Sequence, residues 1–292
     1  MKRIILDTDL GTDIDDAVAL VYLLCQEKCN LEGITTVTGE PEKRAMIADA
    51  ICRICQKNIP IHSGFSLPMS NVQQRQKIAS HAEKLYKFEY NDNFPSETAY
   101  DFLLKKIKSA PGELTLLTIG PLTNIGRLFQ DNPEIPKMLK GHYIMGGAFY
   151  EDDFENEWNI LCDPDAAKIV FDNPAPNTKV FGLNVTQKVV MDAEKVREKF
   201  NSPVLKPILE FAEVFFQEQR DYITFHDPLA AAAIFDEKLC KMEKGTIKVD
   251  TQLGERFGAT YWTPDQNGNV EIAVKVDSER FFSEYFSKTL IS

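Results

Sequence analysis

Apolar and polar positions along this chain switch between two spacings. Short apolar or β-branched runs read as strands: Arg3–Asp9 with its Ile-Ile-Leu core, Leu31–Val37, Ile59–His62, Leu114–Ile119, His142–Met145 and Lys179–Leu183. Between them, apolar residues recur at helical spacing. Asp15–Gln26 is the clearest case, with Ala17, Val18, Leu20, Val21 and Leu24 on one face. The same reading places helices at Pro41–Lys57, Ser96–Ser109, Leu122–Gln130, Asp163–Phe171, Asp192–Phe200, Val204–Tyr222 and the Ala-rich Pro228–Phe235. Strands that alternate with helices predict an α/β fold, with a mostly parallel (mixed) central sheet covered by helices on both faces. No linker or repeat interrupts residues 1–292, so a single domain is expected. Ser63–Pro95 has weak patterning and reads as a loop over a site. Gly245–Val276 alternates and carries the Asn267-Gly268 turn signal, so it reads as an antiparallel appendage.

Charge narrows the partners. The 292 residues carry a formal net charge of −11. That balance argues against nucleic-acid and anionic-membrane partners, which need clustered Lys and Arg. The apolar run at the N-terminus is too short for a signal-peptide core, and no run reaches the roughly 18 residues of a membrane span. A cytoplasmic protein is expected. Cys25, Cys29, Cys52, Cys55, Cys162 and Cys240 are then free thiols. The Cys52/Cys55 and Cys25/Cys29 spacings permit zinc, but they fall on helices with apolar faces, where buried thiols are the plainer reading.

Four segments put polar residues where strands end and helices begin, which is where open α/β sheets bind ligands. DTDLGTDIDD packs Asp7, Asp9, Asp13, Asp15 and Asp16 into ten residues after the first strand. Carboxylates so close repel one another unless a cation neutralises them, and hard divalent cations take oxygen ligands. LLTIGPLTNI turns a strand into a helix at Gly120-Pro121; it is either a plain turn or one that aims a backbone carbonyl at a cation. In GGAFYEDDFENEWNILCDP, Glu157 and Asn159 suit sugar hydroxyls and precede a short apolar strand and the Asp163-Pro164 helix start. The competing reading is an acidic surface loop with Trp158 packed beneath it. In TFHDPLAAAA, His226 and Asp227 precede Pro228 at a helix start, where Asp227 is either an N-cap or a ligand.

In this order and spacing the four segments resemble the inosine/uridine-preferring nucleoside hydrolase family, over about Arg3 to Phe235. The resemblance implies hydrolysis of the N-glycosidic bond of ribonucleosides to base and ribose, with one Ca2+ in the pocket. It implies metal ligands from Asp9, Asp16, Asp227 and the carbonyl of Ile119. It makes Asp9 the general base and His226 the group at the leaving base. Asp15, Glu157, Asn159 and Asp227 would hold the sugar, and a homodimer or homotetramer would be the assembled form. Arg220, Tyr222 and Phe225 are candidates for a wall over the base, Tyr222 foremost.

The sequence also departs from the family. Two extra residues separate Asp9 from Asp15-Asp16 and add Asp13. Glu40 stands where relatives often carry a sugar-contacting asparagine and is taken as a substrate-binding candidate. The segment between Gly147 and Glu157 is short and acidic, and His81 lies in a region without the family's usual context. Two other readings compete. In a haloacid-dehalogenase-type phosphohydrolase, Asp7-Thr8-Asp9 would be the nucleophile motif. A non-catalytic ribose- or nucleoside-binding protein on the same fold is the second.

Overall fold

The computed structural model describes residues 1–150, 156–217 and 221–290. Its centre is a nine-stranded sheet. The strands are β1 (Lys2–Thr8), β2 (Cys29–Thr36), β3 (Ile61–Ser63), β4 (Leu114–Thr118), β5 (Gly141–Met145) and β6 (Thr178–Phe181), then the later β9 (Cys240–Val249), β10 (Thr260–Pro264) and β11 (Val270–Val276). They lie in the order β10-β9-β11-β6-β5-β4-β1-β2-β3. From β3 to β11 every neighbouring pair is parallel; β9 and β10 then add antiparallel pairs. The expected α/β architecture with a mixed, mostly parallel sheet is therefore the one found. The C-terminal strands are not an appendage: β11 pairs in register with β6 and extends the central sheet. β7 (Val190–Asp192) and β8 (Tyr222–Thr224) form a separate two-stranded ribbon that periodicity did not reveal, because each is only three residues long.

The alternation within β1 shows how the sheet is covered. Ile4 and Leu6 enter one core cluster and Ile5 the other. Successive strand side chains point to opposite faces, so both faces must be packed. One face holds α1 (Asp15–Cys25), α2 (Pro41–Ile54), α10 (His226–Ala233) and α11 (Ser278–Thr289); the other holds α3 (Thr98–Ser109), α4 (Thr123–Asp131) and α6 (Pro164–Asp172). α1 is buried from Asp15 to Leu24, and α10 lies against it. The small Ala230–Ala233 run lets the two helices approach closely, which brings the starts of both to one place.

The remaining helices are α5 (Trp158–Cys162), α7 (Leu183–Thr186), α8 (Ala193–Lys199) and α9 (Leu209–Gln217). The apolar residues after Asn159 read as a short strand in the sequence. They are part of α5 instead, because the Glu157 carboxylate accepts from the N–H groups of Asn159 and Ile160 and caps the helix. The expected helix Val204–Tyr222 is also shorter. A 3-10 turn at Lys206–Ile208 leads into α9, and Tyr222 opens β8; residues 218–220, with Arg220, lie outside the described residues.

The weakly patterned stretch after β3 is tied down by buried polar groups. Asp163, fully buried, accepts from the N–H groups of Met69 (2.7 Å) and Ser70 (3.1 Å) and from the hydroxyls of Ser70 (2.9 Å) and Thr123 (2.7 Å). It also caps α6 through the N–H of Ala166. Long-range bonds of this kind leave no periodic trace in a sequence.

Candidate active site

The order β3-β2-β1-β4-β5-β6 reverses direction between β1 and β4, and ligands in such sheets bind at that reversal, beyond the strand ends. A cavity of about 830 Å3 opens there. The loop after β1 supplies Asp9, the start of α1 supplies Asp15 and Asp16, the end of β4 supplies Ile119, and the start of α10 supplies His226 and Asp227. Glu157 and Asn159 come in from the start of α5.

Close backbone approach makes this convergence possible. A Cβ on Gly120 would meet Asp9 Oδ1 at 2.7 Å and Asp9 N at 2.8 Å, so only glycine lets the β4 exit pass this near the β1 exit. The turn is more than a plain one. Asn124 donates to Asp7 Oδ2 (2.7 Å) and to the Thr36 carbonyl (3.0 Å), which fastens the ends of β1 and β2 together.

The floor of the cavity is acidic. Ligand oxygens of Asp15, Asp16 and Asp227 all lie within 4.8 Å of one another, and all three residues are buried. Burial, and then the neighbouring carboxylates, push all three carboxyls well above the usual range. Burial likewise raises Asp9 to about 6. Such a set is costly to keep charged without a cation, and its donors are all oxygens, as Ca2+ or another hard divalent ion requires. The residues therefore fit a metal ion. The triple differs from the expected one. Asp15, expected on the sugar, stands with Asp16 and Asp227, while Asp9 lines the cavity outside the triple. Asp15 also accepts from the Asp227 N–H (3.2 Å). The Ile119 carbonyl accepts from Asn159 Nδ2 (2.9 Å), which leaves one lone pair for a second partner.

Glu157 is buried, accepts from three backbone N–H groups (Asn159, Ile160 and Gly147), and is pushed up to about 7 by burial. It faces the cavity as a helix cap with acceptor capacity to spare. His226 lines the opposite side. Its Nδ1 pairs with Thr186 Oγ1 at 2.7 Å, and burial lowers its pKa to about 4. An ordinary histidine titrates near neutrality, whereas this imidazole is uncharged at pH 7.

Several expectations fail to reach the cavity. Glu40 does not line it: its carboxylate binds Lys43 Nζ (2.5 Å) and the N–H of Ala79 (3.0 Å), clamping the loop behind the site. Phe225 is fully buried and packs edge-on against Phe281, Phe282 and Tyr285, so it is core. His81 is buried against Phe211, away from the lining. Tyr222 does reach the mouth, 40% exposed. Asp13 also lines the cavity, on an exposed turn. Trp158 is 49% exposed and stands in the cavity wall; residues 151–155 of the acidic loop expected above it lie outside the described residues. Sequence reasoning missed Gln76, which lines the cavity from the unpatterned loop and carried no motif to betray it. Asp7, the nucleophile position of the phosphohydrolase reading, is fully buried on Thr35 and Asn124 and does not line the cavity, which removes that reading.

Comparison with known proteins agrees with this geometry. The family model described as inosine-uridine preferring nucleoside hydrolase matches residues 4–283. A probable uridine nucleosidase 2 of Arabidopsis thaliana is 30% identical, covering 86% of this chain and 82% of that protein. An inosine-uridine preferring nucleoside hydrolase of Leishmania major is 27% identical, covering 96% and 95% respectively. Among solved structures, a purine-preferring ribonucleoside hydrolase from Gardnerella vaginalis superposes with a TM-score of 0.86 at 25% identity, covering 99% and 98% of the two chains.

Proposed function

The chain belongs to the inosine-uridine preferring nucleoside hydrolase family, and from that premise we propose that it cleaves ribonucleosides with one Ca2+ ion and Asp9 as general base. The observation that carries this reading is the buried triple Asp15, Asp16 and Asp227 under a cavity whose wall holds Glu157 and Asn159. Asp16, Asp227, the Ile119 carbonyl and Asp9 would hold the ion, with Asp15 beside them as ligand or sugar contact. When bound, Ca2+ lowers the pKa of a water and fixes its place.

The rest of the chemistry falls to side chains. Asp9 accepts the proton of the attacking water. Glu157, Asn159, Asp15 and Asp227 hold the ribose hydroxyls and so fix C1′, in bonds that strengthen as the sugar gains positive charge. The hydroxyl goes to C1′, the C1′–N bond breaks with its electron pair going to the base, and the base anion takes a proton from solvent, balanced by the one that Asp9 returns to solvent. His226, neutral and steadied by Thr186, offers the base a hydrogen bond rather than a stored proton. Tyr222 closes the mouth on the base side. The carboxylate-lined cavity disfavours phosphorylated substrates.

Residues 1–292 acting as one domain, a homodimer or homotetramer, and a cytoplasmic location without nucleic-acid or membrane partners complete the proposal. Among the described residues, no helix is long and apolar enough to cross a membrane. The test is a panel of purine and pyrimidine ribonucleosides with Ca2+, with released ribose measured as reducing sugar. Release that vanishes with chelation and in Asp9→Ala supports the reading. Ca2+ and nucleoside binding with no release from any substrate would favour the binding-protein alternative.

A further inference from the structure

Gln76 sits where three parts of the site meet. It comes from the loop after β3, 64 residues from Thr12 and 82 from Trp158 in sequence. Its Oε1 accepts from the indole Nε1 of Trp158 at 2.7 Å. Its Nε2 donates to Thr12 Oγ1 at 3.0 Å, and it lines the same cavity as Asp9.

The chemistry of the partners dictates this orientation. An indole N–H only donates, so it must face the amide oxygen. The amide nitrogen is then left to donate. Thr12 has its own hydroxyl proton on the Ile78 carbonyl (3.2 Å) and receives Arg44 Nη1 (3.1 Å), so it too is an acceptor for Gln76. The amide cannot flip without breaking every bond it makes.

The loop that carries Gln76 is itself fixed. Gly39 N donates to the Gln76 carbonyl at 3.1 Å, and a Cβ on Gly39 would meet that oxygen at 2.4 Å. Arg44, fully buried, donates to the carbonyls of Gly39 (2.8 Å) and Leu10 (3.2 Å) as well as to that of Asp9. Thr12 lies between Asp9 and Asp15, so the turn that joins these aspartates completes the network.

We propose that Gln76 is a positioning residue that couples the turn bearing Asp9, through Thr12 and Arg44, to the Trp158 wall, so that one amide steadies both the base and the side of the cavity against which the nucleoside packs. This rests on Asp9 being the general base, as argued above. Trp158 is 49% exposed. Its bond to Gln76 holds the ring at the cavity wall.

Three variants separate the two halves of the coupling. Gln76→Glu keeps an acceptor for Trp158 but removes the donor to Thr12, and so the link toward Asp9. Trp158→Phe keeps the ring but removes its link to Gln76. Gln76→Leu removes both connections. Each is assayed for nucleoside cleavage at saturating Ca2+. Trp158 emission and anisotropy are read in a Trp262→Phe background, which leaves Trp158 as the sole tryptophan. We expect Gln76→Glu to lower kcat about tenfold or more, with KM and Trp158 emission little changed. Trp158→Phe should chiefly raise KM. Gln76→Leu should do both and should red-shift and loosen Trp158. If Gln76→Leu does not fold, the other two variants decide the matter. A wild-type kcat in Gln76→Glu, or unmoved Trp158 emission in a folded Gln76→Leu, overturns the coupling. Absence of nucleoside turnover in the wild-type protein would overturn the functional reading instead, while a Trp158 response to Gln76→Leu would still support the physical link.

Discussion

Gly120→Ala isolates how strongly the exit of β4 governs the base. The added Cβ would lie 2.7 Å from Asp9 Oδ1, 2.8 Å from Asp9 N and 3.1 Å from Asp9 Cβ. Ordinary contact begins at 3.4 Å, so Asp9 and the turn must part by roughly 0.7 Å. Two of the three contacts involve the Asp9 backbone or Cβ, so a rotation of the carboxylate cannot relieve them. The end of β1 has to move, and Arg44 and Asn124 pin it. A displacement near 1 Å at a reacting group costs about a hundredfold in rate, so kcat should fall on the order of 10- to 100-fold. Overpacking at this position should cost about 1–3 kcal/mol of stability, leaving the protein folded. The assay is ribose release at saturating substrate and Ca2+, with thermal denaturation alongside. Gly254→Ala, where a Cβ meets nothing within 4 Å, is the control and should behave as wild type. A folded Gly120→Ala with wild-type kcat would refute the claim that close packing of the two strand exits fixes the base.

Asp9→Ala should abolish turnover while far-ultraviolet circular dichroism stays native; retained activity would remove Asp9 from the mechanism. Asp163→Ala strips a buried acceptor from the N–H groups of Met69 and Ser70 and the hydroxyl of Thr123, and should destabilise by about 3 kcal/mol or more, read from denaturant midpoints. Stability without metal should depend on pH in a defined direction. Burial holds Asp7 and Glu157 at about 7 and Asp9 at about 6 in the folded state, above their unfolded values. Folding therefore takes up protons, and this contribution is complete below about pH 4 and lost as pH rises through 6 to 7. Below about pH 6.5 the buried histidines, lowered in the folded state, act in the opposite sense; metal-free Tm should therefore be compared between about pH 6.5 and 8, where it should fall with rising pH, and a flat or opposite trend there would contradict the burial argument. Adding Ca2+ at pH 8 should raise Tm with the metal concentration, because the ion binds only the assembled carboxylates, and Asp227→Asn should weaken that response.

The chain spelled out its strands, its larger helices and the acidic character of the site, because each is a local property. A β1 that alternates Ile4, Ile5 and Leu6 between two cores, or an α1 buried along its length, needs only the spacing of its own side chains. The aspartates of residues 7–16 likewise carry their repulsion, and so their need for a cation, within one short segment. Elements that depend on partners were not legible. β7 and β8 are too short to show a period and exist only as a pair. The stretch after Asn159 reads as a strand because its apolar residues are contiguous, and the Glu157 cap makes it part of a helix. β11 was taken for part of an appendage because nothing local records that it pairs with β6. The tertiary structure alone decided which candidates meet. It set Asp15 beside Asp16 and Asp227, turned Glu40 toward Lys43 and the Ala79 amide, sank Phe225 into the core, and lowered the His226 pKa by enclosing it. It also carried Gln76 from an unpatterned loop to Thr12 and Trp158. Periodicity reports how a residue faces its own element, whereas these outcomes depend on hydrogen bonds and desolvation between residues far apart in the chain, and those exist only once the sheet has brought its strand ends together.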